Sequence, residues 1–382
     1  MTEPIEEADP AELLHATYAG HLLPGQQLEA FRRFEHLFPT RMVRRGMAAR
    51  PLPRRDAPFP ELSFRSNGKS CDLYDYVSRN RGIGLLILKD GAIAFENHEL
   101  GHDERTRWMS MSMAKSITAT LVGAAINDGF IASLDDPLTR YLPELGGSGY
   151  DGVSVRQLLQ MASGVRWSED YLDPASDRRR MLDLQLAQRP GAIMEFMASL
   201  PRVAEPGAVW NYSTGETHVA GALVRAATGR PLADYLSERI WSRLGMDQDA
   251  FWWLESPGGL EVAGSGLSAT LRDYGRFGLF IANGGVIDGE RVLPEGWVAE
   301  SGGCAIPAPG RGHYGLMWWP IAGSDGGYGD GAFRAGGIFG QYIYVNPRQR
   351  VVIVVWSTRS KPLGADAIED NDFFNAVVEA LG

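Results

Sequence analysis

The chain has 382 residues with 37 basic and 47 acidic side chains, a net charge of −10, which argues against nucleic acid or an anionic membrane as its main partner. At 44% hydrophobic and 22% charged residues it has the composition of a soluble globular protein, long enough for one large two-lobed domain or two ordinary ones. Two cysteines, Cys71 and Cys304, cannot build a disulfide framework, and no C-x-x-C spacing marks a metal site.

The acidic N-terminus "MTEPIEEADPAELLHATYAG" lacks the apolar core of a signal peptide. No run of about 18 apolar residues follows that would span a membrane. A cytoplasmic location is therefore the expectation. Residues 1–68 are rich in proline and contain Arg41, Arg44, Arg45, Arg50, Arg54 and Arg55. They read as an N-terminal arm whose arginines are solvated or locally salt-bridged. An S-x-x-K, Ser66-Asn67-Gly68-Lys69, ends the arm in an Asn-Gly turn and reads as a loop. Next, "GIGLLILKDGAIAFENH" (82–98) predicts two strands around Lys89-Asp90-Gly91.

That hairpin runs into "HELGH" (98–102), the shortest signature of a zinc metallopeptidase. The motif works only on a helix, where two histidines one turn apart share a face. His98 falls at a strand end, Gly101 breaks any helix there, and Arg105 and Trp108 stand where a third-ligand motif would place Gly and His. The stretch is expected to be a strand end and turn with two exposed histidines, and no metal is assigned.

A second S-x-x-K, Ser112-Met113-Ala114-Lys115, opens the apolar stretch "AKSITATLVGAAINDG". On a helix, residues three apart share a face, so the ammonium can reach the hydroxyl. The apolar sequence beyond predicts burial on most sides. Ser112 would then sit at the helix N-terminus, where free N–H groups favour a developing anion. Burial and that positive end both push the lysine towards a usable base. The competing assignment is an ordinary N-cap serine with a surface lysine.

The middle of the chain is mostly helical, with "VSVRQLLQMASG", "HVAGALVRAATG" and "LADYLSERIWSRLG" each closing at glycine. In "EPGAVWNYSTGETHVAG" (205–221), Tyr212 stands at a turn before an apolar helix. "FRAGGIFGQYIYVNP" (333–347) is a glycine-rich strand start, and "QYIYVNPRQRVVIVVWS" (341–357) gives two strands around Asn346-Pro347. A last amphipathic helix near 366–381 spaces Phe373, Val377, Val378 and Leu381 on one face. Strands from both ends with helices between them predict one sheet closed by the two termini.

These motifs, in this order, resemble the serine β-lactamase and penicillin-binding-protein-like hydrolases, whose signatures are S-x-x-K, Y-x-N and K-T-G. "SLDDPLTRYLPEL" (133–145), "VSVRQLLQMASGV" (153–165) and "EPGAVWNYST" resemble landmarks of that family. "FEHLFPTRMVRRG" (34–46) resembles the N-terminal arm of its 6-aminohexanoate-dimer hydrolase (nylon-oligomer hydrolase) and carboxylesterase branch in particular. The resemblance implies an α/β (α+β) fold, an antiparallel sheet flanked by helices. Residues 69–382 would form one catalytic domain, with a helical lobe at about 113–255 inserted between sheet segments. It also implies Ser112 as nucleophile, Lys115 as its base, Tyr212 as proton relay, and the N–H groups of Ser112 and Ile338 as oxyanion hole. Tyr171, Gly264 and Gly337 would contact substrate. No cofactor is implied, and the partner is a small ester or amide; a homodimer is left open.

The departures narrow the substrate. Thr214 replaces the Asn of Y-x-N, and Ala335 replaces the Lys of K-T-G, so efficient β-lactam hydrolysis is not expected. Arg334 offers a substitute cation, though neighbouring strand residues point to opposite faces. Leu182 falls where an acidic residue of that branch receives an ammonium, which speaks against linear amino-acid oligomers. The alternative function is a catalytically silent penicillin-binding-like sensor or binding module.

Overall fold

The computed structural model describes residues 9–302 and 314–382; Cys304 lies outside them, and Cys71 is buried. A six-stranded antiparallel sheet forms the backbone of the molecule. Its order is Trp319–Pro320, Phe333–Gly337, Gln341–Asn346, Val351–Ser357, Gly82–Lys89 and Ala92–His98. An early and a late segment of the chain meet where Val351–Ser357 pairs with Gly82–Lys89, placing Ile353 opposite Ile87. The hairpin turn is tight because Asp90 and Gly91 both take the left-handed conformation that a two-residue connection requires.

Strands buried on both faces read as continuous apolar runs, and Gly82–Lys89 shows why. Leu85 and Ile87 pack with Phe373, Phe374 and Val377 of the C-terminal helix Asp370–Leu381. Leu86 and Leu88 face the larger core, which contains the helices Leu271–Ala282 and Met113–Asn127. The helical lobe adds Val155–Leu159, Asp177–Leu186, Ala192–Ser199, Thr214–Thr228 and Leu232–Arg239. No helix among the described residues is long and apolar enough to cross a membrane.

The N-terminal arm is more than an arm. Its helices Pro10–Ala19 and Pro24–Arg33 bury Leu13, Leu14, Tyr18, Ala30 and Phe31 in the main core. Thr40–Val43 joins a second antiparallel sheet, in the order Thr40–Val43, Ala250–Trp253, Leu267–Thr270, Arg107–Met109. The arginines are tied down locally: Arg41 to Glu261 at 2.7 Å, Arg50 to Asp288 at 2.6 Å, and Arg54 to Glu96. The eight prolines and nine arginines of residues 1–68 mask the apolar spacing that anchors the segment.

The HELGH stretch is a strand end followed by a turn, with Leu100 and Gly101 at positive φ, and it is not helical. The histidines are less exposed than expected. His98 is half-buried with Nε2 3.5 Å from Glu96 Oε1. His102 is buried edge-on to Trp108, its Nδ1 2.8 Å from the Glu99 carbonyl.

Candidate active site

Ser112 is the N-cap of the helix Met113–Asn127, yet its side chain makes no capping hydrogen bond. The N-cap residues Ser154, Ser176, Ser213 and Thr270 each accept a backbone N–H of the first turn, as such residues normally do. Ser112 instead has a helical backbone (φ −70°, ψ −1°), and its Oγ lies 2.8 Å from Lys115 Nζ. The preceding Met111 sits at φ 45°, a conformation that side chains other than glycine rarely adopt. The turn at Ser110–Ser112 is thus shaped to present the hydroxyl rather than to cap the helix.

Lys115 is 1% exposed, which rules out the surface-lysine assignment. Its Nζ contacts three oxygens: Ser112 Oγ, Thr214 Oγ1 at 2.9 Å and the Gly264 carbonyl at 3.0 Å. Burial pushes its pKa down to about 7, opposed by the charge of Glu169 and helped by that of Arg178. Near neutral pH a large fraction of Lys115 is therefore an amine with a lone pair, able to take the Ser112 proton. The Tyr212 ring lies over the amine, 5.1 Å from Nζ to its centroid. Burial and the Glu169 charge raise the Tyr212 pKa, while a hydrogen bond with Ser112 opposes them. Tyr212 thus stays protonated and can hand a proton on.

The strand Phe333–Gly337 passes beside the serine. A Cβ on Gly337 would lie 2.8 Å from the Ser110 carbonyl and 3.0 Å from the Ser112 nitrogen, so only glycine permits this approach. Ile338, the next residue, therefore enters the wall of the cavity beside Ser112. The cavity holds about 390 Å³, and its walls include Tyr171, Trp210, Tyr212, Trp319, Tyr342 and Leu363.

Gly264 lies behind Lys115 rather than in the cavity wall: its carbonyl accepts from Nζ, and a Cβ there would meet Thr214 Cγ2 at 2.9 Å. Ala335 is turned into the core and fully buried, whereas Arg334 lines the cavity. Strand alternation thus puts the cation on the open side, its guanidinium 4.5 Å above the Tyr342 ring and 3.4 Å from Asn371 Oδ1. Thr214 fills the position of the motif amide and touches Lys115. Leu182 is buried in the core, and Tyr171 is a buried wall residue, stacked on Tyr18 from the N-terminal helix.

Glu169 carries no motif in the sequence, yet it stands in the cavity beside Ser112. This carboxylate lines the cavity and accepts from Thr214 N at 2.8 Å, Thr214 Oγ1, Tyr171 Oη at 2.9 Å and Trp167 Nε1 at 2.5 Å. Tyr171, two residues away, was the nearest signal to it.

Known proteins carry the same architecture. The model of the Beta-lactamase family matches residues 73–373. The chain belongs to the Beta-lactamase family. It is 33% identical to the 6-aminohexanoate-dimer hydrolase of Paenarthrobacter ureafaciens over 87% of this chain and 86% of that one. Esterase EstB of Burkholderia gladioli is 29% identical over 47% of this chain and 50% of its own. Among solved structures, a Bacillus anthracis protein assigned by name only as a 6-aminohexanoate-dimer hydrolase superposes with a TM-score of 0.81. That match has 23% identity and covers 100% of this chain and 98% of the other, so it speaks for the fold. This member of the family is a serine hydrolase.

Proposed function

We propose that the chain hydrolyses short carboxylic esters, and amides more slowly, through an acyl-enzyme on Ser112. Lys115 takes the Ser112 proton as Oγ attacks the carbonyl carbon. The N–H groups of Ser112 and Ile338 receive the oxyanion, a contribution of about 3 kcal/mol per donor in sites of this kind. Tyr212 passes the proton to the departing alkoxide or amine, leaving an acyl ester on Ser112. Water enters by the reverse relay, releases the acid and restores the serine. The observation that carries this reading is the 2.8 Å contact between a buried Lys115 and the uncapped Ser112 hydroxyl. An aromatic wall around about 390 Å³ suits a small apolar acyl or alcohol group. The names of its relatives, a 6-aminohexanoate-dimer hydrolase and an esterase, support a hydrolytic reaction on such substrates.

The test is a comparison of p-nitrophenyl butyrate with nitrocefin and short linear amides. The ester's kcat/KM should exceed that of nitrocefin by about a hundredfold, because Ala335 and Thr214 do not replace the motif groups that meet a β-lactam carboxylate, at about 1.5–3 kcal/mol for a charge-assisted hydrogen bond lost. Arg334 is engaged with the Tyr342 ring and Asn371. Equal or faster nitrocefin turnover, lost in Arg334→Ala, would show that Arg334 supplies the carboxylate partner and would overturn the esterase reading. A protein that neither turns over any of these nor is labelled by a fluorophosphonate would be the silent sensor instead.

A further inference from the structure

We infer that Glu169 is a positioning residue that acts through the Thr214 hydroxyl to aim the Lys115 lone pair at Ser112. The inference rests on the proposed roles of Ser112 and Lys115, and the hydrogen-bond inventory carries it.

A neutral lysine amine has two N–H donors and one lone pair. Lys115 has three oxygen neighbours. The Gly264 carbonyl can only accept, so it takes one N–H. For the lone pair to face Ser112, the second N–H must go to Thr214 Oγ1. That happens only if the Thr214 hydroxyl points its own hydrogen elsewhere. Glu169 Oε1 receives that hydrogen. The carboxylate thereby fixes the threonine rotor, and the rotor fixes the amine.

Glu169 does not read as a substrate site, although it lines the cavity. Its four close donors, Thr214 N–H, Thr214 O–H, Tyr171 O–H and Trp167 N–H, match the roughly four lone-pair sites of a carboxylate. No capacity remains for a substrate ammonium. Two of those donors, the backbone amide and the indole, face Oε2 and cannot reverse their polarity. The other two are hydroxyls facing Oε1 and can rotate.

That asymmetry fixes what Glu169→Gln does. The new amide must turn its NH₂ towards the hydroxyls, since the other side would set donor against donor. The Thr214 hydroxyl then accepts from that NH₂ and swings its hydrogen towards Lys115, competing for the lone pair. The charged and titratable groups around Lys115 are Glu169, Arg178 and Tyr212. Removing the one anion lowers the lysine pKa further.

The experiment measures kcat, KM and the pH profile of p-nitrophenyl butyrate hydrolysis for wild type, Glu169→Gln, Thr214→Val, Thr214→Ser and the double variant that combines Glu169→Gln with Thr214→Val. Thermal melting serves as a check on folding. Glu169→Gln is expected to lower kcat at least tenfold with KM within threefold, and to move the acid limb to lower pH. Thr214→Ser should keep most of kcat and Thr214→Val should not. In the Thr214→Val background, Glu169→Gln should cost little more in kcat, because its route to Lys115 is gone. A wild-type kcat and pH profile in Glu169→Gln, or losses that multiply in the double variant, would overturn the inference. If Glu169→Gln fails to fold, the threonine pair decides: equal kcat in Thr214→Val and Thr214→Ser would overturn it. Failure of Ser112 as nucleophile is a separate outcome, seen as full activity in Ser112→Ala.

Discussion

The chain contains the same four-residue pattern twice, and the two copies differ in everything that matters for chemistry. Ser66-Asn67-Gly68-Lys69 closes a small hairpin between Phe64–Ser66 and Lys69–Cys71, with Asn67 and Gly68 at positive φ. There Ser66 and Lys69 pair across the turn, Lys69 is exposed, and Ser66 Oγ accepts the Glu369 amide at 2.9 Å. Ser112 and Lys115 stand one turn apart on a buried helix and share a hydrogen bond. The pattern supplies the functional groups, while the backbone beneath it decides whether they meet. Desolvation then decides whether the amine can act as a base.

The largest expected effect comes from exchanging the roles of the two copies. Ser112→Ala should abolish ester turnover, and mass analysis after fluorophosphonate treatment should find the adduct on the peptide containing Ser112. Ser66→Ala should leave turnover within twofold; an adduct on Ser66 would erase the distinction. The second effect is in pH. Because only neutral Lys115 accepts a proton, and burial lowers its pKa to about 7, kcat/KM should rise with pH through about 7. Below that it should fall about tenfold per pH unit. Lys115→Ala should lose activity by about a thousandfold or more, whereas Lys69→Ala should keep the wild-type profile. The smallest effect is on stability. Gly68 has φ +76° with open space around it, so Gly68→Ala adds only backbone strain of about 1 kcal/mol. A urea midpoint should register that shift while activity stays unchanged.

Local rules made the hairpin at Lys89-Asp90-Gly91, the S-x-x-K helix and the C-terminal strands legible, since turn chemistry and apolar period are written in consecutive residues. Strand alternation was equally legible, and it correctly put Arg334 and Ala335 on opposite faces. Which face opened on the cavity depended on how the strand docks beside Ser110–Ser112, which no local period records. Glu169 was invisible for the same reason. It sits in an irregular segment before the helix Asp177–Leu186 and reaches Thr214 only through tertiary packing. The arm was misjudged because prolines that start helices at Pro10 and Pro24 look, in composition, like prolines that prevent them.

The pairing of Gly82–Lys89 with Val351–Ser357 has a consequence for how the molecule is made. While the ribosome is still adding the later strands, Gly82–Lys89 has emerged with only Ala92–His98 beside it, and its other edge is bare. An apolar strand with an open edge invites pairing with other chains. The strand carrying Gly337 also lies late in the chain, so the helix that begins at Ser112 is synthesised long before the strand that packs beside it. Activity should therefore appear late and abruptly during synthesis, and a nascent chain stalled before Phe333 should need chaperones far more than the finished protein does.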